Sequence, residues 1–126
     1  MLDGVPSILP ALSQAQELQD RAARIGFDWE DIQPVYDKVM EEFEEIKSAG
    51  SRTALEKELG DLLCAAVNLA RWHGCDAESA LRGTNLRFRS RFAYIEKTAR
   101  EQQRDLQTMT LAEMDLLWEQ AKDLES

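Results

Sequence analysis

Residues 32–74 read IQPVYDKVMEEFEEIKSAGSRTALEKELGDLLCAAVNLARWHG, and the spacing within this stretch decides the fold. Its apolar residues return at intervals of three and four, which is the period of helices and not of strands. Val35, Val39, Phe43 and Ile46 form one stripe, on a helix from about Ile32 to Ser48 with Pro34 in its first turn, where a missing N–H has no intrahelical partner to lose. Gly50 and Ser51 interrupt the pattern. Thr53 and Glu56 fit a capping box that opens the next helix, which carries Leu55, Leu59, Leu62, Leu63, Ala66, Leu69 and Ala70 and stops at Gly74. Two helices joined by so short a loop pack antiparallel.

Acids fall on both helices at matching spacing. Glu41, Glu42, Glu44 and Glu45 lie on the first; Glu58 and Asp61 lie on the second. Residues three apart occupy neighbouring turns of one face, so Glu42 pairs with Glu45 and Glu58 with Asp61. At about 100° per residue, each pair flanks its apolar stripe, centred on Val39 and Phe43 in one helix and on Leu59 and Ala66 in the other. In an antiparallel hairpin both pairs line one edge. Four carboxylates there repel one another, so either some take up protons or a cation holds them. An all-oxygen site suits magnesium, and manganese for the same reasons. A solvated acidic face is the competing reading of the same residues. A di-iron site is set aside, because it needs Glu-x-x-His and the residue three before His73 is Ala70.

Outward from this hairpin the chain stays helical. Residues 1–7 read as a lead-in. A helix follows from after Ser7 to near Gly26, with Leu9, Leu12, Ala15, Leu18, Ala22 and Ile25 in register, and then an aromatic connector, Phe27-Asp28-Trp29. After Gly74, Asp76 caps a further segment that Gly83 is expected to break, and a longer helix runs from Thr84 to about Arg104. Thr110 and Glu113 form a second capping box before Leu111, Met114, Leu117, Trp118 and Ala121. Trp29 and Trp72 read as packing or interface residues, and Trp118 as core or ligand-facing. Arg82, Arg89, Arg100 and Arg104 read as ordinary surface charge, whereas Arg87 and Arg91 share a helix face and can grip successive phosphates.

At 126 residues the chain supports one ordinary domain, spanning 1–126. The balance of 44% hydrophobic and 31% charged residues is that of a globular protein. A net charge of −9 argues against a general nucleic-acid binder, whose affinity comes largely from neutralising phosphates. It leaves room for a phosphorylated small molecule bridged by a metal. The two cysteines, Cys64 and Cys75, make neither a zinc motif nor a disulfide scaffold, and no apolar run reaches membrane-spanning length. The expectation is a cytoplasmic protein with reduced thiols and no membrane partner.

Glu41-Glu42-x-x-Glu45 followed by Glu58-x-x-Asp61 resembles the signature of the MazG family of all-α nucleoside triphosphate pyrophosphohydrolases. The similarity extends through Leu9-Pro10-Ala11-Leu12, Gly26-Phe27-Asp28-Trp29, Gly60-Asp61-Leu62-Leu63, Val67-Asn68-Leu69-Ala70-Arg71, Asn85-x-x-Phe88-x-x-Arg91-Phe92 and Trp118. It is strongest to the second, catalytic domain of the two-domain members, into which Leu2-Asp3-Gly4-Val5-Pro6 resembles the entering segment.

The resemblance implies an antiparallel helical bundle and magnesium-dependent cleavage of nucleoside triphosphates to monophosphate and pyrophosphate, with a nucleotide-pool housecleaning role. It implies magnesium on Glu42, Glu45, Glu58 and Asp61, and a supporting or water-orienting role for Glu41. Lys38 and Asn68 would lie beside the cluster, Arg87 and Arg91 would contact the triphosphate, and Trp118 and Lys122 would help close the nucleotide site. Position 87 is Arg where relatives often carry Lys, and the 45–58 loop is shorter than in some. A homodimer or higher homo-oligomer is expected. The competing functions are a non-catalytic helical interaction module and a narrow-specificity member of the superfamily acting on dUTP, dCTP or phosphoribosyl-ATP.

Overall fold

The computed structural model describes residues 1–125, which form five α-helices and no strand: α1 Ala11–Arg24, α2 Gln33–Lys47, α3 Arg52–Trp72, α4 Ala77–Glu101 and α5 Leu111–Leu124. The all-α expectation holds. No helix among the described residues is long and apolar enough to cross a membrane. Contacts divide the chain into two compact units, Met1–Ala80 and Leu81–Ser126.

The first unit is built on the α2–α3 hairpin. Tyr36, near the start of α2, places its hydroxyl 2.7 Å from His73 Nε2 at the end of α3, so the two helices run antiparallel as expected. The start of α3 differs from the sequence reading. Ser51, extended at φ −154°, caps it by accepting from the Ala54 N–H, and Thr53 lies inside the first turn. Ser51 meets Ala54 and not Glu56 at the position that would answer it, so there is no reciprocal box. α1 and α3 end alike. Gly26 (φ 95°) and Gly74 (φ 71°) take the left-handed conformation, and the next N–H reaches back to Ala22 and Ala70 respectively. α1 is tied to the rest of the unit by two amides. Gln19 donates to the Cys64 carbonyl at 3.0 Å, and Gln16 accepts from the Ala77 N–H at 2.8 Å.

Val35, Ala65, Val67 and Ala77 are buried here. Phe43, Leu59 and Ala66, placed by periodicity at the centres of the core stripes, are exposed instead. With Met40 and Leu63, also exposed, they make an apolar face. The hairpin is therefore apolar on two faces, and periodicity alone does not say which one its own unit covers.

In the second unit α4 runs unbroken past Gly83. A lone glycine costs a helix about 1 kcal/mol relative to Ala, too little to stop one of this length. α4 ends in the same turn as α1 and α3, but with Gln103 in the left-handed position at φ 54°. The capping box of Thr110 and Glu113 is present at the start of α5. Ile95, Ala99, Met109 and Leu117 form the core, with Tyr94, Leu106, Met114 and Trp118 packed against it. Arg104 is not free surface charge, because its guanidinium bonds to the Glu113 carboxylate.

Candidate active site

α2 and α3 bring three of the expected acids together. Glu42, Glu58 and Asp61 each present a carboxylate oxygen, all within 4.8 Å of one another. The antiparallel hairpin does this by setting one turn of α2 against the first half of α3. Glu42 is buried at 7% exposure, and Glu58 and Asp61 are half-buried. Lys38, one turn before Glu42, puts its ammonium 3.1 Å from Glu42 Oε1 and 3.4 Å from Glu41 Oε1. Glu42 Oε2 is buried with no hydrogen-bond partner.

The electrostatics follow from this crowding. Burial pushes the Glu58 carboxyl above its ordinary range, and the charges of Asp61, Glu42 and Glu45 push it further. The hydrogen bond to Glu42 raises Lys38, with Glu41 adding to it. Glu45 is exposed and lies outside the three-oxygen group, although its charge is felt at Glu58. Glu41 is exposed and bonded to Lys38.

The cluster opens on a cavity of about 740 Å³ within the first unit. Lys38, Glu42, Asp61 and Asn68 line it, together with Leu18, Gln19 and Ala22 from α1 and Phe27 and Trp29 from the connector. Asn68 Oδ1 accepts from Arg71 at 3.0 and 2.8 Å. Arg71 in turn makes a two-pronged pair with Asp28 at 2.8 and 3.1 Å. Asp28 also accepts from the Trp29 N–H and from Trp72 Nε1, and the Arg71 hydrogen bond holds its carboxyl below the usual range. The sequence reading did not find this network. The sole hint was an acid between two aromatics, and its partner is 43 residues away.

The remaining candidates belong to the second unit. Arg91 meets both oxygens of Glu125 at 2.9 Å, and its guanidinium lies 5.2 Å from the centre of the Trp118 ring. Phe88 packs edge-on against Trp118 at 5.2 Å. Arg87 donates to Thr84 Oγ1 at 2.9 Å, and Lys122 lies 3.7 Å from Glu119. Arg91, Trp118 and Glu125 thus form one polar and aromatic patch. His73 is exposed and hydrogen-bonded to Tyr36, as befits a helix-end histidine and not a ligand.

Fold and site define an all-α protein whose helical hairpin gathers acids against a cavity. No family model matches the chain. It is 41% identical over 126 residues to the nucleoside triphosphate pyrophosphohydrolase of Escherichia coli K12, covering 96% of this chain and 48% of that protein. It is 41% identical over 115 residues to the nucleoside triphosphate pyrophosphohydrolase/pyrophosphatase MazG of Thermotoga maritima, covering 91% of this chain and 45% of that one. Against the uncharacterized protein YabN of Bacillus subtilis it is 48% identical over 129 positions, or 99% of this chain and 26% of YabN. The chain spans about half the length of the first two relatives. The similarity to these two pyrophosphohydrolases runs through nearly all of this chain.

Proposed function

We propose that this chain hydrolyses nucleoside triphosphates to the monophosphate and pyrophosphate, with magnesium held by Glu42, Glu58 and Asp61 and with Glu45 completing the set. One observation carries the reading: three carboxylate oxygens within 4.8 Å of one another, one of the acids keeping a buried oxygen without a partner. Lys38 supplies one positive charge against this group, and three acids so close need more. A hard, all-oxygen donor set with room for phosphate oxygens fits magnesium, and also manganese. The names of the E. coli and T. maritima relatives support the same reaction.

A cation held by Glu42, Glu58 and Asp61 would supply charge against the polyphosphate and would lower the pKa of a water. The carboxylates do the rest of the proton handling. Glu41, exposed and beside Lys38, or one of the cluster acids, orients the water and takes its proton as the water oxygen bonds to phosphorus. The bond broken joins the α and β phosphates, and pyrophosphate leaves. Arg87 and Arg91 give fixed positive charge to the polyphosphate, with Trp118 and Lys122 closing the nucleotide site. Asn68, held by Arg71, and Lys38 are the polar side chains assigned to the substrate next to the cluster.

The apolar face of Met40, Phe43, Leu59 and Leu63 supports a homodimer, since a second copy is a covering with matching chemistry. The free thiols Cys64 and Cys75 fit a reducing, cytoplasmic setting. Housecleaning of the nucleotide pool is the role this activity serves. The test is a panel of standard and modified nucleoside triphosphates, with magnesium or with excess chelator, and with products resolved. Monophosphate and pyrophosphate should form only with metal. Diphosphate and phosphate would mean a different bond is cut. A folded protein without turnover would point to a helical interaction module.

A further inference from the structure

We propose that Arg71 is a positioning residue for the hydrolytic reaction: clamped by Asp28, it turns the Asn68 amide so that the NH2 group, and not the carbonyl oxygen, faces the substrate. This rests on the hydrolytic reading for what Asn68 meets, and it adds a residue that acts on the substrate only through another. Asn68 follows Asp61 by two turns of α3, so the two share a face of the helix, and both line the cavity.

The Arg71 guanidinium is held on two edges. Nε and Nη2 both donate to Asn68 Oδ1, at 3.0 and 2.8 Å. Nη1 and Nη2 donate to the two oxygens of Asp28, at 3.1 and 2.8 Å. Four of an arginine's five N–H donors are thereby engaged, and the charge is matched by Asp28. Asp28 is itself fixed by the Trp72 Nε1–H and the Trp29 N–H, and the Arg71 hydrogen bond holds its carboxyl below the usual range, so the clamp stays ionised. The side chain of Arg71 is only 14% exposed. It borders the cavity, but a guanidinium so engaged orients its neighbour and does not reach out for a phosphate.

What this orientation does follows from the chemistry of an amide. Its two ends are nearly equal in size and opposite in polarity, so the partners decide which way it points. Arg71 has donors and no acceptor, so it can hold only the oxygen end of Asn68. The end left for a ligand is then a donor, which suits the oxygens of an anionic substrate. Turned over, the same side chain would set a carbonyl oxygen against those oxygens, and repulsion would replace attraction. A lysine at position 71 could not do the same work. Its ammonium is a single point of charge on a flexible stem, whereas the planar fork of arginine spans Asp28 and Asn68 at once.

The experiment compares wild type with Asn68→Ala, Asn68→Asp, Arg71→Lys and the double variant Asn68→Ala/Arg71→Lys. The substrate is whichever nucleoside triphosphate of the panel above wild type cleaves fastest, and thermal melts accompany each kcat/KM. Asn68→Ala and Arg71→Lys should each lower kcat/KM by about tenfold, the size of one hydrogen bond to a charged group. The double variant should fall no further than Asn68→Ala alone, because Arg71 then has no amide to orient. Asn68→Asp keeps a partner for Arg71, so it should melt no lower than wild type. It should nonetheless be less active than Asn68→Ala, since a negative acceptor replaces the donor. A merely structural contact between the two residues would leave Asn68→Asp active. Losses that multiply to about a hundredfold in the double variant overturn the proposal, as does Arg71→Lys or Asn68→Asp with wild-type kcat/KM. If Arg71→Lys does not fold, Asn68→Asp against Asn68→Ala decides alone. Failure of the hydrolytic reading is distinct: wild type itself then cleaves no member of the panel, and the positioning role falls with it.

Discussion

Two groups of carboxylates in this chain have opposite surroundings. In the α2–α3 hairpin, Glu42, Glu58 and Asp61 crowd together with Lys38 paired to Glu42, and burial with neighbouring charge drives the Glu58 carboxyl upward. In the second unit two acids at the ends of α5 are each paired with an arginine. Glu113 bonds to Arg104 and Glu125 to Arg91, and both carboxyls are held below the usual range. The second arrangement is what folding alone selects, since charges are matched and hydrogen-bonded. The first leaves repulsion in place, and a ligand that supplies positive charge gives it a purpose. Under the proposed reaction, the difference separates acids kept for chemistry from acids kept for structure.

The sharpest break of this contrast is to remove an acid from the crowded group. Asp61→Ala should lower turnover of nucleoside triphosphates by at least about a hundredfold, because even outer partners of metal ligands carry 10- to 100-fold effects. Helical circular dichroism should persist. Near-wild-type rates would end the metal assignment. Glu58→Gln should lose activity comparably, yet melt higher than wild type when metal-free, because the amide removes a charge the site disfavours. The sign follows from linkage. A carboxyl raised in the folded state adds stability that is fully present below its unfolded value of 4.5 and is lost as pH rises through the folded one. The advantage of Glu58→Gln should therefore be clear at neutral pH and vanish in acid. A variant that melts lower at neutral pH would show that Glu58 is a structural acid like Glu113.

Arg91 stands between the two kinds of site, since it has a structural partner in Glu125 and a phosphate-binding role in the proposed reaction. Arg91→Ala should reduce kcat/KM by about tenfold or more, the size of a lost charge-assisted hydrogen bond. Glu125→Gln keeps the arginine and should leave kcat/KM within about threefold of wild type. If both substitutions cost the same, Arg91 serves the fold. A smaller gain is expected where α4 ends. Gln103 occupies the left-handed position that Gly26 and Gly74 fill in the first unit, and Gln103→Gly should raise stability by about 0.5–1 kcal/mol in urea unfolding. No gain would mean that the turn is held so firmly by its neighbours that the side chain carries no strain.

The sequence made legible whatever depends on near neighbours along the chain. The helices followed from spacing, the stops at Gly26 and Gly74 from glycine's access to positive φ, and the α5 cap from Thr110 and Glu113. The nearness of Glu58 to Asp61 was legible for the same reason, since i,i+3 spacing fixes a face, whereas Glu45 lies outside the group that Glu42 joins. What spacing could not reveal was which face the rest of the chain covers. Phe43 and Leu59 were read as core and lie open, whereas Glu42, beside them in the pattern, is buried. Gly83 was read as a break because its local propensity is poor, but a long helix outweighs one such residue. The Asp28–Arg71 pair needed segments 43 residues apart to meet, and the pairing of Arg104 with Glu113 needed the turn between α4 and α5.

The smallest effect expected concerns that last pair, and it tests the structural side of the contrast. The Arg104 hydrogen bond, helped by the Thr110 N–H, holds the Glu113 carboxyl at about 2, against 4.5 when unfolded. A depressed carboxyl contributes stability that is present above 4.5 and is lost as pH falls through about 2. Both side chains are more than a third exposed, so the contribution is small and sensitive to salt. Thermal melts from pH 6 to pH 2 at low ionic strength should show wild type losing a little more stability than Glu113→Gln, with the two curves converging at the acid end. High salt should narrow the gap at pH 6, whereas it should not restore activity to a variant of the hairpin acids. Parallel curves across the whole range would mean that Arg104 and Glu113 touch without supporting the fold. The capping box would then owe its strength to Thr110, whose hydroxyl accepts from the Glu113 N–H at 3.1 Å whatever the carboxyl's charge.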